Sequence, residues 1–595
     1  MGKGEINKEE KHRYLSEFQY DEESGIYMLP EQVVHTKTFD YSDGTKVENY
    51  ILTSIKNAKN ISDDSDELMS MVKDWPSYYH LGIGRSNILK ILNLSPNSKI
   101  LELGSGCGAL TRYLGETFEL VDGVEGSPFR AQIARERCRD LKNVRIFCSN
   151  FKYTKFDSTY DVVTLIGVLE YAPMYFLDEH NPEKSCLALL KLAKTALKKN
   201  GILIIAIENK IGVKYWSGCP EDHTGKIFDS IHGHPSNQSP KTFSKKEIEI
   251  LLKSAGFSNI SFYYCFPDYK FASTIITDIG DEKDFYLHNW IEVPFTSYNI
   301  PRIYTFHEGL VIKTLSESGL LRKFANSFLI VVAQGNSPMI NQPDWIAKKF
   351  SLKRRKEFRS ITTLKIKPKI YIEKKRLFDN NKDYIVRNNN VKVKHRITNS
   401  SWYEGDLMIF NVFKALFERD FKKKVLEILK KYYQELVNQY HTGIEDEEGF
   451  PLLKGNSIDH IFRNIIQKEG KLFQIDNEWC VEGYIPADYV MYRCIISDII
   501  ESQNPWIRKK IRNTDKFTIE LIKSFFPNYG ATRHSKNKTM EGSFQKLVTV
   551  IGDLNQIILT QKLSFLKKRI IWNLIKKVWD KLPENIKFKI EKIIE

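Results

Sequence analysis

Between Lys99 and Glu208, apolar runs of strand length alternate with amphipathic stretches of helix length, and this alternation leaves few folds open. The runs are Lys99-Ile-Leu-Glu-Leu, Val121 to Glu125, Asn143 to Ser149, Tyr160 to Val168 and Gly201 to Glu208, with helices near 128–140 and 184–198 between them. Strands this apolar are buried on both faces, which predicts a parallel sheet covered by helices, an α/β, Rossmann-like fold. A loop rich in Gly, His and Pro follows to about Pro240. A helix over Ser244–Ala255 is stopped by Gly256, and further strands run to Val332. Residues 1–75 are polar, with a β-like stretch from Val47 to Thr53, and read as an accessory segment. The polar run Gly335–Pro343, with Pro338 and Pro343, reads as a linker. The predicted organisation is therefore an N-terminal segment (1–75), a first domain (76–335), an α+β unit (344–530) and a basic helical tail (540–595).

Composition narrows the setting. The 595 residues exceed what one core organises, and the formal net charge of +15 suits an anionic partner: nucleic acid, a membrane surface, or a phosphorylated or nucleotide-linked substrate. Eight cysteines with no C-x-x-C pair argue against a disulfide scaffold or a zinc knuckle and fit a reducing cytoplasm. The charged start, MGKGEINKEEKHRYLSEF, has no apolar core of a secretory signal, and nowhere do about 18 apolar residues run together.

The first strand ends in Glu102-Leu-Gly104-Ser-Gly106-Cys-Gly108. Glycines at these positions let the backbone turn sharply and approach a ligand that a Cβ would repel. A dinucleotide site typically spaces its glycines G-x-G-x-x-G. The spacing here, E-x-G-x-G-x-G, resembles motif I of class I S-adenosylmethionine (SAM) dependent methyltransferases, whose seven-stranded sheet is then the expected fold. The resemblance implies that Glu102 faces the cationic amino-acid end of SAM and that Glu125 accepts both ribose hydroxyls. Asn150, where such enzymes usually carry an acid, lies near adenine. A dinucleotide-binding domain, or a glycine turn with no ligand, is the alternative.

Further segments carry a narrower resemblance: YHLG (79–82), VEGSPFRAQIARERC (124–138), LIGVLEYAP (165–173), AIENKIGVKYWSGCPEDHTG (206–225) and FPDYKFASTIITD (266–278). Together they are similar to bacterial methyltransferases of surface-polysaccharide and O-antigen synthesis, often fused to a kinase-like domain. What this implies is O-methylation of a sugar hydroxyl or sugar phosphate on a glycan or lipid-linked saccharide. In an α/β fold the second substrate binds at the carboxyl edge of the sheet, where Glu208, Asn209, Lys214, Tyr215, Glu221, Asp222 and His223 gather. A hydroxyl acceptor profits from a general base, for which His223, flanked by Asp222, is the first candidate, with Glu208 beside it. A phosphate acceptor needs no base and would be held by Lys214 or Arg85. Glu170 and Tyr171 are further candidates, and the EDH run also reads as a charge-stabilised turn.

In the second unit, Asp459-x-x-x-x-Asn464, then a hairpin, then Asp476, resembles the core of the protein-kinase and aminoglycoside-kinase superfamily. That match implies Asp459 at an acceptor hydroxyl, Asn464 and Asp476 on the Mg of ATP, and Lys374 as the strand lysine. The usual His two residues before Asp459 is Ser457, and a glycine-rich loop is missing. The tail spaces Ile571, Leu574, Ile575 and Val578 at helical intervals among lysines, which suits an anionic bilayer surface at the inner membrane face, a glycosyltransferase partner, or packing on the second domain. Two rivals stand beside the glycan reading. A nucleic-acid methyltransferase would need an RNA-binding module or an N-P-P-[YF] tetrad, where this chain has LEYAP. A non-catalytic assembly factor would keep its pockets only to fold.

Overall fold

The computed structural model describes residues 13–29, 42–175, 181–235, 240–298, 302–335, 337, 343–367, 369–378, 383–388, 391–501 and 505–549. Among the described residues, fourteen strands form one sheet: β1 (Gln19–Asp21), β2 (Ile26–Met28), β3 (Lys99–Leu103), β4 (Leu120–Glu125), β5 (Val144–Cys148), β6 (Tyr160–Ile166), β7 (Leu197–Glu208), β8 (Asn259–Phe266), β9 (Thr274–Ile276), β10 (Ser327–Ala333), β11 (Trp345–Ser351), β12 (Ser360–Lys365), β13 (Tyr371–Arg376) and β14 (Ser400–Ser401). Seven of them, in the spatial order β5-β4-β3-β6-β7-β10-β8, form the central sheet. The first five of that order are parallel, and β10 runs antiparallel to both its neighbours.

The reason lies in the sequence of each strand. Ile202 through Ile207 are fully buried, which a strand tolerates only with layers on both faces. Those layers include α2 (Ala109–Thr117), α3 (Pro128–Arg137), α4 (Pro182–Ala196) and α5 (Lys245–Ser254). Helix α4 begins at Asn181, whose side chain accepts from the amides of Glu183 and Lys184, and Pro182 fills the first turn. Helix α5 opens with a capping box between Ser244 and Glu247, and Gly256 follows its end in the left-handed region. Parallel strands joined by helical crossovers place every strand-to-helix turn on one edge. The strand order departs in opposite directions from β3, which opens a crevice between the turns after β3 and β6.

Residues 13–29 and 42–75 are less accessory than their polarity suggests. Strand β2 joins the sheet beside β5 through Tyr27 and Phe147. The stretch from Val47 to Thr53, expected to be β-like, lies inside α1 (Thr45–Asn57). Its buried residues are Glu48, Ile51, Ser54 and Ile55, at intervals of three and four that suit one helical face rather than the alternation of a strand.

The sheet also runs on past the expected linker. Strand β11 pairs with β9, with Ile276 opposite Ala347, and β12, β13 and β14 extend the sheet antiparallel. Residues 336 and 338–342 of that linker lie outside the described residues. Beyond β14, α6 (Phe421–Tyr440), α7 (Ala487–Cys494) and α8 (Ala531–Val548) pack with short hairpins around a separate core that includes Val425, Leu429, Tyr432, Val490 and Ile495. The tail from residue 550 onward lies outside the described residues. Among the described residues no helix is long and apolar enough to cross a membrane.

The continuous sheet makes a prediction. Arg359, buried among the strands of the second unit, bonds the carbonyl of Asp64 and the carboxylate of Asp66, and Lys356 pairs with Asp64 at 2.7 Å. Nicking the chain near residue 338 is therefore expected to leave both pieces co-eluting on native gel filtration. Two separated peaks would show that the β9–β11 ladder does not hold the halves together.

Candidate functional site

The turn after β3 is built by glycine. Gly104, Gly106 and Gly108 have φ values of 85°, 54° and 82°, in the left-handed region that side chains disfavour. At Gly104 a Cβ would meet Val168 Cγ2 at 2.5 Å, and at Gly108 it would meet the Ala134 backbone at 2.8 Å. At Gly106 nothing lies within 4 Å, so this backbone faces open space. The first and third glycines close the turn against its neighbours, and the second leaves room for a ligand.

Two carboxylates frame that room. Glu102 is buried at the end of β3, where Thr111 donates to it at 2.5 Å; burial lifts its carboxyl to about 7. Glu125, at the end of β4, accepts from the amides of Gly106 (2.8 Å) and Ser127 (2.9 Å). It thereby ties the glycine turn to the start of α3, with a second lone pair left on each oxygen. Asn150 follows β5, and its carbonyl accepts from the Thr154 hydroxyl at 3.1 Å. The predicted cofactor residues thus sit at neighbouring strand ends. Arg85 is buried on the same side; its Nη2 donates to Tyr79 at 2.9 Å, its Nη1 to the Lys270 carbonyl at 3.2 Å, and its Nε is buried without a partner.

The predicted acceptor residues divide into two groups. Lys214, Tyr215 and Asp222 bind one another: the Asp222 carboxylate lies 2.6 Å from Lys214 Nζ and accepts from the Tyr215 hydroxyl at 2.6 Å. Lys214 also faces Asp268 at 3.3 Å, and Lys270 lies 3.6 Å from Asp222, so both acids lie against lysine inside the fold. The lysines beside Asp222 hold its carboxyl well below the usual carboxylate range. The second group is His223 with three glutamates. Glu221, not Asp222, orients the imidazole, with its Oε1 2.8 Å from Nδ1, because its other oxygen takes the amides of His223 and Thr224 and folds the loop back. Nε2 faces Glu170 Oε1 at 3.6 Å and Glu208 Oε2 at 3.9 Å. With three carboxylates around it, His223 holds its proton well above the ordinary imidazole range, while Glu221 is pulled down to about 2. Lys270 bonds the other oxygen of Glu208. Neither Lys270 nor Asp268 stood out singly in the sequence; both lie in the FPDYKFA segment, and their pairing with Glu208 and Lys214 depends on β8 lying two strands from β7.

In the second unit, the hairpin of 465–474 brings the predicted residues together. Asp459 is buried, accepts from the amides of Glu478 and Trp479 at 2.7 Å each, and is raised by burial to about 7. Asn464 donates to the Asp459 carbonyl at 3.0 Å. Lys374, on β13, lies 2.6 Å from Asp476 and 3.0 Å from Glu478.

Residues 82–261 match the family model of a methyltransferase domain, so the chain carries such a domain across β3 to β7 and the first residues of β8. The chain is 31% identical over 80 residues to the demethylmenaquinone methyltransferase of Tropheryma whipplei. That alignment covers 13% of this chain and 34% of the relative, so the chain spans about a third of the curated relative it matches. Among solved structures, phosphoethanolamine N-methyltransferase 2 of Haemonchus contortus overlaps 43% of this chain and 53% of its own at 16% identity and a TM-score of 0.27. A SAM-dependent methyltransferase of Mesorhizobium loti overlaps 41% and 95% at 12% identity and a TM-score of 0.25. Superpositions this loose decide nothing about substrate.

The glycine geometry yields a test. A left-handed alanine costs about 1–2 kcal/mol at either position, and at Gly108 the Ala134 backbone must also shift. Gly108→Ala is expected to lower the melting temperature clearly more than Gly106→Ala. Equal losses in thermal melts would refute the packing role of Gly108.

Proposed function

We propose that this protein is a SAM-dependent O-methyltransferase of surface-polysaccharide synthesis, acting on a sugar hydroxyl or sugar phosphate of a glycan or lipid-linked saccharide. The observation that carries the reading is that the glycine turn and the buried Glu170–Glu208–His223 cluster share one edge of the sheet. Glu102, Gly104, Gly106, Glu125 and Asn150 would hold SAM, whose sulfonium supplies an electrophilic methyl group. The room beside Gly106 and the free lone pairs of Glu125 fit that role. A hydroxyl entering toward His223 finds acceptors in Glu170 and Glu208, whose inward oxygens have no other donor. The substrate class rests on the O-antigen methyltransferase resemblance of residues 206–225 and 266–278, and the net charge of +15 suits an anionic glycan or an anionic membrane face.

Radiolabelled methyl transfer to candidate glycans, with and without ATP, tests the proposal. Glu125→Ala is expected to weaken SAM binding at least about tenfold, since charge-assisted hydrogen bonds contribute about 1.5–3 kcal/mol each. Unchanged calorimetric binding by the folded variant would remove Glu125 from the site. Should the acceptor be a hydroxyl, His223→Ala is expected to lower kcat/KM by about 10²–10⁴.

The Lys374–Asp476 ion pair favours a second reading for the other unit, phosphate transfer from ATP. Asn464 and Asp476 would hold Mg, and Asp459 would receive the acceptor hydroxyl. Asp476→Ala is then expected to abolish ATP-dependent phosphorylation with the fold intact. If the methyl acceptor is a phosphate made by the same chain, this variant also stops methylation of unphosphorylated glycan, and phosphorylated glycan restores it. Wild-type protein that fails to bind ATP–Mg²⁺ would sink the phosphotransfer reading.

A further inference from the structure

We propose that Glu170, Glu208 and His223 form a binding site for one divalent transition-metal ion on the acceptor side of the methyltransferase domain. Each residue offers one ligand atom, and the three atoms lie within 4.8 Å of one another. The separations of 3.6 Å and 3.9 Å from His223 Nε2 are too long for hydrogen bonds. They are close to what a shared ion imposes, because ligands about 2.1 Å from one metal stand roughly 3–4 Å apart.

Two independent features point to the missing cation. Both oxygens of Glu170 and Oε2 of Glu208 are buried without a hydrogen-bond partner, in residues with no exposed surface. Buried carboxylate oxygens left this way are costly unless something positive lies between them. Lys270 bonds the other oxygen of Glu208 and does not answer for these three. The second feature is the support behind the imidazole. Glu221 sits 2.8 Å from Nδ1 and is itself fixed by the amides of His223 and Thr224. A metal-binding histidine typically gives its far N–H to such a carboxylate, which leaves the Nε2 lone pair for the metal.

One imidazole with two carboxylates suits Mn²⁺, Fe²⁺, Co²⁺ or Zn²⁺; Mg²⁺ and Ca²⁺ prefer oxygen alone. Three protein ligands leave coordination positions open, and the acceptor role proposed above gives those positions a use. An acceptor hydroxyl bound there loses its proton to solvent more readily. Its oxygen then forms the new bond to carbon as the carbon–sulfur bond of SAM breaks, leaving a neutral thioether. The ion thus takes the place of a general base.

The test uses the full chain, stripped by a chelator and titrated with Co²⁺ by visible absorption and with Zn²⁺ by thermal shift. Wild type is expected to bind one Co²⁺ with ligand-field bands and to melt higher with Zn²⁺. Glu170→Gln keeps the shape of the side chain and should melt, metal-free, no lower than wild type. It should gain no Zn²⁺ shift and bind Co²⁺ at least tenfold more weakly. Glu221→Gln should weaken Co²⁺ by about 10–100-fold. Glu427→Gln, an exposed carboxylate of the other unit, should leave both signals in place. The site is overturned if Glu170→Gln titrates like wild type, if wild type shows no Co²⁺ bands, or if Glu427→Gln abolishes them. Calorimetric SAM binding on the same samples keeps failure of the metal site distinct from failure of the methyl-donor reading.

Discussion

Strands β3 to β7 run parallel to one another, and this decides where chemistry can occur in the first domain. Right-handed crossovers send each strand-to-helix turn to one edge, so Gly104, Glu125, Asn150, Glu170 and Glu208 converge although more than a hundred residues separate the first from the last. The same edge must bury charge, because the loop of 209–235 and the segment after β8 close over it. Buried charges survive only in company. Lys214 stands between Asp222 and Asp268, and Lys270 between Glu208 and Asp222. The polarity of this edge is therefore both a structural necessity of the loops and the raw material of the site.

Much of this was legible beforehand, for identifiable reasons. The β3–β7 strands betray themselves by apolar runs, and the Glu102–Gly108 spacing marks a turn that only glycine accepts. Lys374 has no local signal beyond its strand, and the fold brings it 2.6 Å from Asp476. What stayed hidden depends on relations that a linear pattern does not carry. Asp222 and Glu221 are adjacent in sequence and point to different partners, so the choice of which one orients His223 is made by the loop's backbone hydrogen bonds. Lys270 and Asp268 gain meaning only once β8 packs beside β10 next to β7. Val47 to Thr53 is short enough to satisfy either a strand or a helix pattern, and only the face that buries Ile51 and Ile55 decides between them.

The two sites also differ in how they treat their acids. Around His223 the loops supply one imidazole and two lysines to a group of carboxylates and leave three oxygens unanswered. Around Asp459 the backbone does the answering, through the amides of Glu478 and Trp479, while Lys374 and Arg354 neutralise Glu478. The first arrangement asks for a further cation; the second is complete in protein alone until a ligand draws Lys374 away.

The ladder between β9 and β11 has a consequence for how the chain is made. As the polypeptide leaves the ribosome, Thr274 to Ile276 is synthesised about seventy residues before its partner, Trp345 to Ser351. Once β10 has joined β8 to β7, and until Trp345 to Ser351 emerges, the domain ends in a bare strand whose amides and carbonyls invite a foreign chain. The antiparallel strands β11 to β14 cover that edge. The nascent protein thus passes through a sticky stage that ends only when the first strands of its second unit arrive, and chaperone demand should peak at that point of translation.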